Sequence, residues 1–322
     1  MQTIVHRLLM VLASGGILVS FSEFWFYEVG AHVGRLEILL AYGLLGFVFL
    51  ATLEIFRVDG FSGFFVAACL LGFLIEGVFV PVVYSGPPMT IVWTSMAWHA
   101  LLSVTVGWLV FRQVMIRGKA SQKLLLNLGI GVSLGLWNAY SWNAIEMDGA
   151  PDPVFRWRAD DSFAMQFLVG YVLFISGHAL ASLIGRWSSR ISKREFFVGW
   201  MFAIACSFSV ALSSGFILSY ALLPILVGIC LWTLTHLADR ESAPNNSTVA
   251  ILSSPGMSWK DYAYTLCIPV FAISTYRLMV LGEIGIEANA ILILTAGPVS
   301  VWYFVGAVYQ ASMRATGQSR PI

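Results

Sequence analysis

Two ionisable side chains interrupt the apolar stretch FLIEGVFVPVVYSGPPMTIVWTSMAWHALL, which covers residues 73–102. Glu76 precedes a Pro-Pro turn and His99 follows it, and both lie in segments that are otherwise hydrophobic. A carboxylate and an imidazole in one poorly hydrated site have coupled protonation, so either can exchange a proton near neutral pH. This chemistry would serve a proton-coupled carrier or a general acid/base enzyme. The structural alternative is a buried hydrogen-bonded pair that only fixes the hairpin.

The composition is that of a protein embedded in a lipid bilayer. Of 322 residues, 58% are hydrophobic and 11% are charged, and the mean hydropathy is +0.81, whereas soluble domains carry roughly a quarter charged residues. The sequence therefore predicts an all-α integral membrane protein. The net charge of +1 and the scattered basic residues provide no surface for nucleic acid, which is not an expected partner.

The hydropathy pattern predicts a polytopic bundle of about ten transmembrane helices, because a helix needs about 20 apolar residues to cross a bilayer. An aromatic cluster at Trp25, Phe26 and Tyr27 ends the first segment and is expected at the bilayer interface. The predicted spans are 4–27, 36–56, 61–84, 89–111, 124–145, 162–185, 196–214, 216–237, 261–281 and 288–310.

The basic residues predict how these spans are oriented. With both termini in the cytoplasm, all but four of the 18 Lys and Arg residues fall on the cytoplasmic side, as the positive-inside rule requires. This orientation places an acidic loop, 146–161, outside and a polar linker, 238–259, inside. We expect one transmembrane domain in a bacterial inner membrane. The exceptions to the rule are Arg35, Arg156, Arg158 and Arg277.

Glu76 and His99 are expected to meet inside the bundle. Glu76 lies eight residues before Tyr84 and His99 ten residues after Met89, which places them about 12 and 15 Å below the outer helix ends. Both lie on helix faces of small residues, and such faces are where membrane helices approach closely. The small residues are Cys69 and Gly72 in one helix and Ser95, Ser103 and Gly107 in the other.

Further polar groups lie in the outer halves of their predicted spans and suggest a vestibule above this pair. Each also has a purely structural interpretation, as interhelical contact, helix-end charge or snorkelling side chain. The candidates for contact with a substrate are Glu23, Asn138, Asn143, Asp161 and Arg277.

Other motifs narrow the chemistry only by exclusion. The sequence has no HExxH, Walker A or histidine-box motif, so no cofactor or metal site is specified. His178 could be a second relay group, a haem ligand or a core histidine, and it could share a haem with His99 only at equal depth. Gly131 and Gly135 form a GxxxG pattern that predicts helix packing.

Three functions remain open from the sequence. The leading one is a proton-coupled secondary transporter of a small or amphipathic solute, with Glu76 and His99 as the coupling groups. The main alternative is a membrane enzyme that acts on a lipid or lipid-linked substrate at the outer leaflet, with the same pair as catalytic acid and base. The third is a structural or assembly subunit.

Overall fold

The structure is a computed structural model that describes residues 2–25, 35–79, 81–146, 153–184, 191–214, 219–238, 252, 256–282, 284 and 288–318. These residues form helices and no strand. The predicted all-α membrane bundle is confirmed.

Most of the described residues lie in α-helices, and some of these continue directly into π-helical stretches. The α-helices are α1 (Gln2–Val19), α2 (Arg35–Ile55), α3 (Phe61–Leu74), α4 (Phe111–Arg117), α5 (Ala120–Glu146), α6 (Pro153–Ile184), α7 (Lys193–Ser214), α8 (Ser219–Leu237), α9 (Trp259–Thr265), α10 (Cys267–Leu281) and α11 (Ala288–Ala315). Three stretches are π-helical: the first π-segment (Ser20–Phe24), the second (Ile75–Phe79) and the third (Ile91–Val110). A 3₁₀ turn covers Pro81–Tyr84.

Within the described residues, 7 stretches are long and apolar enough to cross a membrane. The predicted spans 124–145, 196–214 and 216–237 coincide with α5, α7 and α8, which are not among these stretches, so ten crossings stay a prediction. The 7 stretches are Ile4–Phe24, Leu36–Ile55, Phe61–Phe79, Ile91–Arg117, Phe163–Ile184, Trp259–Leu281 and Ala290–Ala315.

The two predicted polar connections are described only in part. Residues 153–161 of the outer loop predicted at 146–161 belong to α6, which begins at Pro153, and proline suits the first turn of a helix; the placement of this loop outside the membrane stays a prediction. The rest of that loop, 147–152, lies outside the described residues, as does most of the linker predicted at 238–259.

The centre of the bundle is the helix that carries Glu76. Of the 18 consecutive residues that are most apolar in Phe61–Phe79, 89% are buried, whereas the corresponding share in Ala290–Ala315 is 22%. The Phe61–Phe79 stretch contacts α2, α8, α11 and the third π-segment. A polar group on this stretch is therefore enclosed by protein rather than by lipid.

Glycines allow the closest helix contacts. A Cβ atom on Gly15 of α1 would strike the backbone of α2 at Gly43, so these two helices touch through their main chains. The predicted packing role of Gly131 and Gly135 is confirmed, since a Cβ on either would strike carbonyl oxygens of α10. Small residues set these distances because bulkier side chains would hold the helices apart.

Trp25 is covered by a neighbouring helix rather than exposed to lipid, and its position at the bilayer interface stays a prediction. Its side chain is fully buried, its Nε1 donates to the Phe167 carbonyl at 3.2 Å, and its ring stacks on Phe167 with centroids 5.3 Å apart. The indole ring belongs to the contact between the first π-segment and α6.

Two ion pairs show which helix ends lie together. Arg7 at the start of α1 donates to Glu195 at the start of α7 over 2.7 and 3.0 Å. Lys123 at the start of α5 pairs with Asp261 at the start of α9. The sequence assigns all four ends to the cytoplasmic side, and the members of each pair are in contact.

Glu195→Gln is expected to lower the stability of the protein by about 1 kcal/mol near neutral pH, as is usual for a partly exposed ion pair. The hydrogen bonds from Arg7, supported by Ser192, lower the pKa of Glu195 from 4.5 to about 2. Because this pKa is depressed in the folded protein, the stabilisation is complete above about pH 4.5 and is lost as the pH falls towards 2. Thermal unfolding of the two proteins between pH 7 and 3 measures this, and the curves should converge in acid. Curves that stay parallel would contradict the prediction.

Candidate functional site

The predicted contact between Glu76 and His99 is confirmed. His99 Nε2 lies 2.7 Å from Glu76 Oε1, and the two residues are 1% and 7% exposed. A hydrogen bond of this length between two ionisable groups, shielded from water, couples their protonation closely. The pair is the centre of the candidate site.

Each π-segment contributes polar groups to this site. A π-helix has a wider turn than an α-helix, is rare, and is often found at functional sites. The turn is visible in the third π-segment, where Thr105 Oγ1 donates to the carbonyl five residues earlier, that of Ala100, at 2.8 Å. The polar residues supplied by the π-segments are Ser22 and Glu23 from the first, Glu76 from the second, and His99 and Ser103 from the third.

Gly72 brings the two helices of the pair together. A Cβ atom at this position would strike the Ser95 carbonyl and would lie 3.2 Å from His99 Cβ. The predicted small-residue face of α3 therefore lies directly against the third π-segment. Because Gly72 is one turn before Glu76, this contact holds the carboxyl group at hydrogen-bonding distance from the imidazole.

Neighbouring hydroxyl groups determine which proton His99 carries. Ser103 Oγ lies 3.1 Å from the Trp98 carbonyl and 3.3 Å from the Phe21 carbonyl, and carbonyls can only accept, so Ser103 donates to them. Ser22 therefore donates to Ser103 over 2.9 Å. His99 Nδ1 lies 3.3 Å from Ser22 Oγ, and since the Ser22 proton is already used, Nδ1 is the donor in this contact.

A donor at Nδ1 leaves one proton in the bond between His99 and Glu76. Either Glu76 is a carboxylic acid that donates to a neutral ring, or His99 is an imidazolium that donates to a carboxylate. The pair is neutral overall in both arrangements. Loss of this proton would set a carboxylate against a ring nitrogen lone pair, so His99 would have to change tautomer and Ser22 would have to turn its hydroxyl group.

Tyr42 and Glu23 extend the site on the side of α2. The Tyr42 hydroxyl donates to Glu23 Oε1 in a short contact and interacts electrostatically with the Ser22 hydroxyl. The centroids of the Tyr42 and His99 rings are 6.1 Å apart. Tyr42 is not among the site residues predicted from the sequence, although a tyrosine within the apolar span 36–56 was a signal for it.

The other predicted contact residues are placed differently. Asn138 is buried and donates to the carbonyls of Trp25 at 2.7 Å and Leu134 at 2.8 Å, so its amide joins α5 to the end of the first π-segment. Arg277 is exposed on α10 and is not brought to the pair. The side chains of Asn143 and Asp161 lie outside the described residues. A role in substrate binding stays a prediction for each.

His178 does not join the site. It is fully buried between the rings of Phe111 and Phe174, with centroids 4.7 and 4.6 Å away, and its carbonyl accepts from Arg112 at 3.1 Å. Phe111 begins the helix that follows the third π-segment, well beyond His99. The two histidines therefore lie at different depths and do not form the pair considered for haem.

An apolar groove of about 470 Å³ opens between the start of the third π-segment and α11. Its wall includes Trp93, which packs edge-on against Trp98 at 5.6 Å between centroids. Neither Glu76 nor His99 lines the groove. The groove and the pair are therefore separate features of the described structure. The other lining residues are Met89, Val92, Ile293, Gly297, Pro298, Val301, Trp302 and Val305.

In the described part of the chain, no three His, Cys, Asp or Glu side chains are arranged so that they could hold a metal ion. No protein-family model, curated protein or solved structure matches this chain.

Proposed function

We propose that this protein is a proton-coupled secondary transporter of a small or amphipathic solute, placed in a bacterial inner membrane. The observation that carries the proposal is the hydrogen bond of 2.7 Å between His99 Nε2 and Glu76 Oε1 at the centre of a membrane bundle. Ionisable groups inside a membrane bundle mark ion and substrate pathways more often than they serve packing.

Two polar atoms beside the pair support a solute-binding role. Glu76 Oε2 and Ser95 Oγ are buried and have no hydrogen-bond partner within the described residues. Buried polar atoms are normally satisfied, so atoms of this kind favour contact with a further polar group. A solute that donates a hydrogen bond to Glu76 Oε2 would change the proton affinity of the carboxyl group, and this change would couple solute binding to proton binding.

The two alternatives have less support. An enzyme that acts on lipid needs its acid and base beside an opening to the bilayer, and the apolar groove is lined by neither member of the pair. A structural subunit would need the pair only for packing, and replacing a buried ion pair by apolar residues is often neutral or stabilising. Packing alone therefore gives little reason for a pair together with an additional carboxyl group and tyrosine.

Proton flux in liposomes tests the proposal. The purified protein is reconstituted with a trapped pH-sensitive dye, an inward pH gradient is imposed, and small organic cations, anions and zwitterions are added in turn. We expect that at least one class accelerates the collapse of the gradient only in liposomes that contain the protein. A gradient that decays at the same rate with every solute, with or without the protein, would refute the proposal.

A further inference from the structure

We infer that Glu23 is a second proton-binding residue of this site, joined to Glu76 by a continuous chain of hydrogen-bonding groups through Tyr42, Ser22 and His99. The inference rests on the proposed function for its purpose, since a carrier needs a route by which protons reach its coupling pair.

Three of the four steps in this chain are hydrogen bonds, and the fourth is an electrostatic interaction between Tyr42 and Ser22. Glu23 Oε1 accepts from the Tyr42 hydroxyl, and the same hydroxyl interacts with the Ser22 hydroxyl. Ser22 Oγ is 3.3 Å from His99 Nδ1, and His99 Nε2 is 2.7 Å from Glu76 Oε1. Each intermediate group can both donate and accept a proton, as a hydroxyl or an imidazole does.

The charges at the site leave Glu23 in need of a proton. The single proton shared by Glu76 and His99 makes that pair neutral, but it does not compensate the carboxyl group of Glu23. The groups that act on Glu23 among the described residues are Tyr42, His99 and Glu76, and none of them is a Lys or Arg. Of the cations on helices packed against the π-segments, Arg7 pairs with Glu195, Arg112 donates to the His178 carbonyl, and those of α7 lie in its first turn. Ionised carboxylates are costly to bury without a partner, so Glu23 gains from accepting a proton.

A proton can pass along this chain once the pair has lost its own proton, so that His99 carries hydrogen only on Nε2 and the Tyr42 and Ser22 hydroxyls have turned towards Ser22 and His99 Nδ1. Protonated Glu23 then gives its proton to the Tyr42 oxygen, Tyr42 gives its own to Ser22, and Ser22 gives its own to His99 Nδ1. His99 then releases its Nε2 proton to Glu76. At the end Glu23 is a carboxylate, Glu76 is an acid and every hydrogen bond has reversed its direction, while the three groups between them each gained one proton and lost one.

Differences in burial indicate the direction of entry. His99 and Glu76 are almost fully enclosed, whereas Glu23 is only partly buried. Of the two acids, Glu23 is thus the one that a proton from outside the bundle can reach. It is expected to load first, and Glu76 receives its proton through the chain.

Infrared difference spectroscopy of the protein in liposomes tests this inference directly. With carboxyl-labelled glutamate, a pH titration of the wild type should show two protonated carboxyl bands with coupled midpoints. Glu23→Gln should remove one band and shift the midpoint of the other, and Glu76→Gln should do the reverse. Glu37→Gln on the exposed face of α2 is the matched control and should leave both bands in place, while Glu54→Gln identifies any band from the other enclosed glutamate.

Tyr42→Phe tests the path, because it removes one hydroxyl group and keeps both acids. After a rapid pH change, both bands should form, but the Glu76 band should appear roughly 10²-fold later than in the wild type, the order expected for loss of a positioned proton donor. An unchanged rate would overturn the route through Tyr42. A wild-type titration with only one enclosed glutamate band, or bands whose midpoints are independent, would overturn the second site.

These outcomes are separate from those of the proposed function. The infrared bands need no solute to cross the membrane, so two coupled bands in a protein that carries nothing would refute the transporter and leave the second site standing. Proton-driven transport by a protein that shows no Glu23 band would support the transporter and refute the second proton-binding site.

Discussion

Glu76→Gln is expected to abolish the solute movement that a pH gradient drives in liposomes, by roughly 10²-fold or more, as for loss of an essential acid or base. Glutamine has nearly the shape of glutamate and keeps a carbonyl oxygen and a donor for His99, so the helix contact at 2.7 Å can persist. Glutamine has no proton that it can release near neutral pH. Exchange of labelled solute across the membrane without a pH gradient should therefore continue, while accumulation against a gradient should stop.

Glu37→Gln is the matched control for this prediction. It makes the same chemical change on α2, where Glu37 is exposed, and it should leave gradient-driven uptake at the wild-type rate. Uptake that survives in Glu76→Gln would remove Glu76 from the coupling step. Equal loss in both variants would show that the assay reports general damage.

The sequence was sufficient to predict the membrane bundle and the central pair. Backbone groups in lipid must be hydrogen-bonded within the segment, so long apolar stretches have to be helices whatever their detailed sequence. Depth along the helix and the small residues around Glu76 and His99 then predicted which two polar groups would meet. Both features are local, and local features can be read from the chain.

The surroundings of the pair depended on structure that a pattern of side chains does not reveal. Helix faces predicted from the sequence assume α-helical periodicity, whereas Ser22, Glu23, Glu76 and His99 lie in π-helical turns, in which each residue advances by a different angle. Tyr42 reaches the site because α2 touches α1 through its main chain at Gly43, a contact that only the tertiary packing defines. Arg277 is equally polar, yet α10 exposes it elsewhere.

The burial of Trp25 is a second feature that depends on tertiary packing. Aromatic residues near the end of a span are expected at the lipid interface, and the end of the first span contains four in a row, residues 24–27. The structure instead buries the indole ring of Trp25 against Phe167. Position along one helix predicts depth in the membrane, but it does not predict whether a neighbouring helix covers that position.

Gly72→Ala is expected to destabilise the protein by about 1–3 kcal/mol, the usual range for overpacking a tight contact, and to uncouple the pair. The added methyl group would occupy the position of the Ser95 carbonyl and would press on His99 Cβ at 3.2 Å. Both obstacles belong to the third π-segment, one of them to its backbone, so the segment must move away from α3. The bond from His99 to Glu76 then lengthens, and gradient-driven uptake should be lost together with stability.

The sign of the stability change makes Gly72→Ala a sharp test. Glycine to alanine inside a helix normally stabilises by up to about 1 kcal/mol, because alanine has fewer unfolded conformations to lose. Gly228→Ala in α8 is the matched control, since nothing lies within 4 Å of its added methyl group, and its melting temperature should stay level or rise. A lower melting temperature for Gly72→Ala together with a higher one for Gly228→Ala would demonstrate that the helix contact at Gly72 holds the pair together. Equal changes in melting temperature at both positions would rule out that contact as the constraint.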